Sequence, residues 1–155
     1  MTTTDRAPHQ AAAMPSQSYT LPDAQALSSI LDRHWYETSA TPESIAATMC
    51  LLLASTVRDL LTGCDRTQPF DATGLELQLH TRGWVEATGA YWTADGTRRR
   101  FHDIDALDAL REAPSDLSPD NSGGWMPLCT LLGGTTEYTR YRLDLTRAAR
   151  FPAEA

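Results

Sequence analysis

One long apolar segment limits what this chain can fold into. Thr41-Pro42-Glu43 is typical of a helix start, because threonine can cap the first turn, proline is tolerated there and an acid suits the positive end of the helix dipole. Gly63 is a residue suited to end a helix. Between them the apolar residues recur with a helical period, at Ile45, Met49, Leu52, Leu53, Val57, Leu60 and Leu61. The pattern predicts a helix that begins at Pro42, ends at Gly63 and lies against the core.

A shorter helix is predicted before this one. Thr20-Leu21-Pro22-Asp23 has similar start signals, and apolar residues at spacings of three and four extend the pattern over residues 22–36. Residues 1–18 are rich in Thr, Ala, Pro and Gln and have no apolar region of the kind found in secretory signals. We interpret them as a disordered leader, followed by a single domain over residues 19–152.

The second half of the chain contains strand patterns. Leu75, Leu77 and Leu79 alternate with polar residues that include Glu76, which predicts a strand with one solvent-exposed face. Asp95-Gly96 lies between two β-favouring runs, residues 84–92 and 97–101, and predicts a hairpin. Alternation along this hairpin would place Arg98 and Arg100 on one face and Arg99 on the other.

A second hairpin is predicted across Gly133-Gly134, between residues 125–132 and 136–145. Its second strand places Arg140 and Arg142 on one face and Tyr141 and Leu143 on the other.

One helix is predicted between the two hairpins. Asp103 can cap it, residues 104–113 form it and Pro114 stops it, after which residues 114–124 have the composition of a flexible loop. The complete order of elements predicts an α+β fold. In this fold an antiparallel sheet of about five strands, in two hairpins, is packed against two N-terminal helices and the inserted helix.

Composition excludes several classes of function. The 155 residues include 20 Asp and Glu against 13 basic residues, all of them Arg, so the net charge is −7. Such a protein repels phosphates at long range, which argues against general nucleic-acid binding and favours a basic protein partner. The longest apolar run, residues 49–54, is too short for a bilayer, so we expect a cytoplasmic protein without membrane contact. Oligomeric state is left open.

No cofactor, metal or catalytic residue is predicted. The three cysteines have neither disulfide nor zinc spacing, and Cys50 fits a small core residue. Glu76 and Glu86 would suit an acid–base pair, although strand alternation favours two solvent-exposed residues. His102, Asp103 and Asp105 could ligate a metal, and the interpretation we favour is that Asp103 caps a helix.

The predicted inserted helix has an acidic face. Asp105, Asp108 and Glu112 lie within a narrow arc of it, opposite its apolar residues. This face is either a solvated surface or a binding surface for a basic partner. In the second case Tyr91 and Trp92 are candidate aromatic anchors.

From Gly83 onward, the chain resembles the YezG-like immunity proteins of bacterial polymorphic toxins. The similar features, which cover about half of the chain, are Gly83-Trp84-Val85, Asp95-Gly96, the helix over residues 107–111, Gly124-Trp125, Tyr141-x-Leu143-Asp144 and Phe151-Pro152. The resemblance implies a small cytoplasmic protein without catalysis of its own, which binds a toxin domain and blocks its active site.

Two alternatives come from the residues themselves. Residues 79–101 resemble a winged-helix DNA-binding regulator in the order of a recognition helix, its glycine stop and a wing that contains Arg98, Arg99 and Arg100. This interpretation requires that residues 75–79 are helical. A sheet at residues 75–79 would exclude this regulator. The other alternative is a small biosynthetic enzyme with an apolar pocket under the sheet.

Overall fold

The computed structural model describes residues 17–36, 41–65 and 67–150. The helices and strands are, in chain order, α1 Ala24–Tyr36, α2 Pro42–Thr62, β1 Gly74–His80, β2 Val85–Trp92, β3 Arg98–Arg100, α3 Ile104–Ala109, β4 Cys129–Gly134, β5 Tyr138–Asp144 and α4 Leu145–Ala148. The predicted α+β fold with a five-stranded antiparallel sheet is confirmed.

Strand β1 is the centre of the sheet. The strand order is β3-β2-β1-β5-β4, and every neighbouring pair is antiparallel. The second hairpin joins the first through β1 and β5, which pair without interruption from Gly74 opposite Asp144 to His80 opposite Tyr138. Chain segments 58 to 70 residues apart therefore determine which side chains meet at the middle of the sheet.

Helix α2 forms as predicted and covers one face of this sheet. The Thr41 side chain accepts a hydrogen bond from the Ser44 amide, and Gly63 ends the helix in the left-handed conformation with φ 65°. The helix is long and apolar enough to cross a bilayer, but 61% of its most apolar stretch of 18 residues is buried inside the fold. Its buried side chains pack with Leu75, Leu77 and other apolar residues of the sheet in one core.

The N-terminal part differs from the prediction in detail. Helix α1 begins at Ala24, because an oxygen of the Asp23 side chain accepts a hydrogen bond from the Ala26 amide at 2.8 Å and so caps the first turn. This helix packs against α2. Ser18, which the prediction placed in the leader, donates its amide to Phe70. Residues 1–16 of the predicted leader lie outside the described residues.

The predicted helix and loop between the two hairpins need correction. Asp103 caps α3 as expected, but the helix ends at Ala109, and Pro114 lies inside a 3₁₀ helix, Ala113–Asp116. The expected flexible loop contains a second 3₁₀ helix, Pro119–Gly124. Ser118 caps it, and the side chain of the buried Asn121 accepts from the Ser118 amide and donates to the Asp116 carbonyl. These local hydrogen bonds explain why a polar segment is ordered here.

The first hairpin turns at Asp95-Gly96 as predicted, but the second is shorter than expected. Strand β4 begins at Cys129, because Trp125 leaves the sheet for the core, where it is 0% exposed. The Trp125 indole donates to the Ser118 carbonyl at 2.9 Å and its ring packs edge-on against Tyr141. Gly133 and Gly134 lie within β4, and the turn follows them.

Close packing between the second 3₁₀ helix and the start of α2 gives a first prediction. A Cβ atom on Gly124 would lie 2.7 Å from the carbonyl carbon and 2.9 Å from the Cα of Glu43. Because backbone atoms cannot move aside as a side chain does, we expect Gly124→Ala to lower the free energy of unfolding by about 1–3 kcal/mol, measured by urea denaturation.

Gly123→Ala is the matched control for Gly124→Ala. A Cβ atom there would approach only the Glu43 side chain, at 3.1 Å from its Cγ. We expect a distinctly smaller loss of stability from this variant. Equal losses for the two neighbours would contradict the proposed backbone contact.

Candidate functional site

Among the described residues, the helices cover one face of the sheet, and we call the opposite one, which no described helix covers, the open face. Strand alternation and register place alternate residues of every strand there. The ionisable members are Glu76 and His80 on β1, Glu86 on β2, Arg98 and Arg100 on β3, and Arg140, Arg142 and Asp144 on β5. Guanidinium groups from two non-adjacent strands thus share this face with Glu76, the acid of the central strand.

Glu76 is the centre of this arrangement. The prediction of a solvent-exposed residue is wrong, because Glu76 is only 2% exposed. Its carboxylate accepts hydrogen bonds from the Thr88 hydroxyl at 2.6 Å, the Arg98 guanidinium at 3.0 Å and the Arg140 guanidinium at 3.1 Å. The two arginines come from β3 and β5 and cover the carboxylate from both sides of the central strand.

The surroundings of Glu76 keep it ionised. Burial acts to raise the pKa of Glu76, but the hydrogen bond from Thr88, the charge of Arg98 and the hydrogen bonds from Arg140 and Arg98 outweigh it, so the pKa lies below its ordinary value. The carboxylate is therefore a fixed negative charge that orients both guanidinium groups.

Arg100 completes a cationic cavity above this carboxylate. Its guanidinium donates to the Thr88 carbonyl at 2.9 Å. The cavity measures about 310 Å³ and is lined mostly by polar side chains, among them Gln78 and Tyr138. We call Glu76, Thr88, Arg98, Arg100 and Arg140 the open-face cluster. Three guanidinium groups line the cavity with one carboxylate, so the cluster carries excess positive charge in a protein of net charge −7.

A fourth arginine lies next to the cluster, across β1. Arg142 donates to the Thr73 hydroxyl at 3.2 Å, and its guanidinium lies 5.0 Å from the centre of the Trp92 ring, which Arg98 also approaches, at 5.8 Å. The Arg142 side chain passes directly over Gly74 to reach Trp92. Only glycine leaves room for it, because a Cβ atom on residue 74 would lie 3.0 Å from the Arg142 Cγ and closer still to its Nε.

The predicted partner-binding residues do not form one surface. Asp105, Asp108 and Glu112 are exposed as expected, although Glu112 follows the end of α3 and Arg111 lies 3.6 Å from Asp108. Tyr91 and Trp92 point to opposite faces of β2. Tyr91 is 9% exposed and packs on Phe101 in the core, whereas Trp92 lies half-buried on the open face.

The other chemical hypotheses also have structural outcomes. The Glu86 carboxylate and the His80 ring share a hydrogen bond, so Glu76 and Glu86 each have a partner of their own. Asp103 accepts a hydrogen bond from the Ala106 amide, which supports its role as a cap.

Within residues 17–36, 41–65 and 67–150, no group of three or more His, Cys, Asp or Glu side chains is placed to hold a metal ion. Cys50 is fully buried, and burial raises the pKa of its thiol.

The winged-helix alternative is excluded. It required a helix at residues 75–79, and these residues form the central strand of the sheet. Arg98, Arg99 and Arg100 are an edge strand, and the first and last of them point to the open face as predicted.

The fold and its cationic cavity define an α+β protein with an exposed, arginine-rich sheet face. No protein-family model, curated protein or solved structure matches the chain.

The buried carboxylate gives a second prediction. Glu76→Gln removes the charge that holds Arg98 and Arg140, whose side chains are 44% and 39% exposed and so can be partly rehydrated. We expect a loss of about 1–3 kcal/mol in the free energy of unfolding at pH 7.

The same substitution should remove a pH dependence. Since the pKa of Glu76 is lower in the folded than in the unfolded state, its stabilising effect is complete above the ordinary glutamate pKa. The effect is lost as the pH falls through the lower, folded pKa. Urea unfolding of both proteins between pH 7 and pH 3 should therefore show their stabilities converging in acid. Glu86→Gln, at a residue whose side chain is 48% exposed, is the control and should change stability by about 0.5 kcal/mol or less. If the difference in unfolding free energy between the unmodified protein and Glu76→Gln stayed constant across this pH range, an ionised Glu76 between Arg98 and Arg140 would be contradicted.

Proposed function

We propose that the protein is a noncatalytic binding module that binds an anionic group of a partner protein at the open-face cluster. The observation that carries the proposal is the charge balance of the cavity, which three guanidinium groups and one carboxylate line. An anion bound there would neutralise the excess charge.

The arginines are held in a form suited to binding. Arg98 and Arg140 each have a nitrogen bonded to Glu76, and Arg100 has one bonded to the Thr88 carbonyl. A guanidinium has five N–H donors, so each arginine has further donors that can face a ligand. Because their orientation is fixed before binding, less conformational entropy is lost when the ligand arrives.

A second proposal concerns the acidic surface formed by Asp105, Asp108 and Glu112. All three side chains are exposed, which supports attraction of a basic protein such as a toxin domain, in the manner of an immunity protein. Arg111, 75% exposed and 3.6 Å from Asp108, reduces the negative charge of this surface. We therefore rank it second. The toxin-blocking role and the cytoplasmic location stay predictions.

Two polymeric probes separate these proposals and give a third prediction. Short poly-L-glutamate, a peptide of about four residues whose few charges limit repulsion by the net charge of −7, should bind the protein through the open face. Its affinity should fall as salt rises. The double variant Arg98→Gln/Arg140→Gln should weaken this binding about tenfold or more, because it removes two of the three cationic groups from the cavity. Fluorescence anisotropy of labelled polymer measures both affinities.

The control is Arg111→Gln, which removes one positive charge from an exposed site just after α3. It should leave poly-L-glutamate binding nearly unchanged. If poly-L-lysine binds instead, and Asp105→Asn/Asp108→Asn abolishes that binding, the acidic surface is the binding surface and the first proposal fails.

A further inference from the structure

We infer that the open face binds an extended acidic segment of a partner protein. Two carboxylates of this segment, two residues apart, would bind the guanidinium groups of Arg140 and Arg142, one each. This inference rests on the proposed function and specifies the chemistry of the ligand.

The spacing of the two arginines carries the inference. Arg140 and Arg142 are alternate residues of β5, so their side chains leave the same face about 6.8 Å apart along the strand. Alternate residues of an extended peptide have the same spacing and also share a face. The two side chains leave β5 and extend over the central strand, where Arg140 bonds to Glu76 and Arg142 passes Gly74 to reach Trp92. Their guanidinium groups thus lie at two alternate residues of β1. A peptide lying along β1 can therefore present two carboxylates in register with the two guanidinium groups.

Different neighbours keep the two guanidinium groups separate. Arg140 is bonded to Glu76, whereas Arg142 is bonded to Thr73 and lies over Trp92. Because each has its own anchor, they cannot both turn toward a single small anion without losing these contacts. The structure thus provides two cationic positions in place of one.

Each arginine also lines its own depression. Arg140 lines the cavity of the open-face cluster, and Arg142 lines a neighbouring one of about 460 Å³ with Thr73, Thr130 and Asp144. Asp144 already accepts a hydrogen bond from the Arg147 amide as the cap of α4. A ligand with two separated anionic groups can occupy both depressions.

A short acidic peptide fits this surface better than a nucleic acid does. A planar guanidinium forms a two-point hydrogen bond with a carboxylate or with a phosphate, so the total charge of the ligand, and not hydrogen-bond geometry, separates the two. A protein of net charge −7 repels a polyphosphate chain more strongly than a segment with two carboxylates, because the repulsion grows with ligand charge.

The test, our fourth prediction, compares two labelled peptides of identical composition, each with two glutamates in a threonine background. One threonine separates the glutamates in the first peptide and two threonines separate them in the second. Only the first places both carboxylates on one face of an extended chain. We expect it to bind the full-length protein about tenfold more tightly, measured by fluorescence anisotropy at low salt.

Variants assign the preference to the arginine pair. Arg142→Gln should remove the preference and make the affinities of the two peptides equal, while Arg111→Gln should leave the tenfold preference in place. A thermal melt of Arg142→Gln shows whether the variant is folded. If it is not, Arg140→Gln, which leaves Arg98 on Glu76, serves in its place with the same expected loss of preference.

The outcomes separate this inference from the proposed function. Equal binding of the two peptides by the unmodified protein, with both lost in Arg98→Gln/Arg140→Gln, would overturn the paired spacing and leave the anion-binding function standing. Binding of inorganic phosphate or pyrophosphate but of neither peptide would overturn the acidic segment as the ligand. Failure of poly-L-glutamate and both peptides to bind would overturn the proposed function as well.

Discussion

The packing of α2 against one face of the sheet is the constraint on which the rest of the structure depends. Its buried residues form the core with Leu75, Leu77 and Leu143, so the leucines of β1 and β5 all point to the helix side. Because alternate residues of a strand point to opposite faces, Glu76 and the arginines of β5 must then point away. The covering of one face thus determines the composition of the other.

Glu76 changes what this uncovered face can do. Burying a carboxylate until it is 2% exposed is strongly unfavourable when the group has no partners. Here Thr88, Arg98 and Arg140 donate hydrogen bonds to it. The arginines in turn lose the freedom that long surface side chains usually have. A flat polar face is thereby converted into a cavity with guanidinium groups at fixed positions.

Local patterns were sufficient to predict much of the fold, and contacts distant in sequence explain the rest. The cap at Thr41, the stop at Gly63 and the Asp95-Gly96 turn depend on neighbouring residues, and the structure has all three. Alternation also separated Arg140 and Arg142 from Tyr141 and Leu143 correctly. The pattern of β1 predicted which way Glu76 points, but not its burial, because Arg98 and Arg140 are 22 and 64 residues away.

Contacts between residues distant in sequence also explain why the predicted site was the acidic surface of Asp105, Asp108 and Glu112 and not the open-face cluster. An acidic arc on one helix is visible in a single segment, whereas the open-face cluster needs the register of β1 with both β2 and β5. The one signal available in the sequence was an acid and pairs of arginines at alternate positions of predicted strands. Without the strand order, nothing indicated that these strands were neighbours.

If the open face binds an anion as proposed, charge distribution matters more than net charge for which ligand it would select. Replacing Glu76 by a neutral residue would raise the charge of the cavity, and long-range attraction for an anion would rise with it. The same change would release Arg98 and Arg140 from their common partner, so an arriving anion would have to order two flexible side chains. The ordering cost opposes the gain in attraction. The buried carboxylate is therefore a positioning group, which exchanges part of the attraction for a fixed arrangement of donors that can discriminate between anions of different spacing.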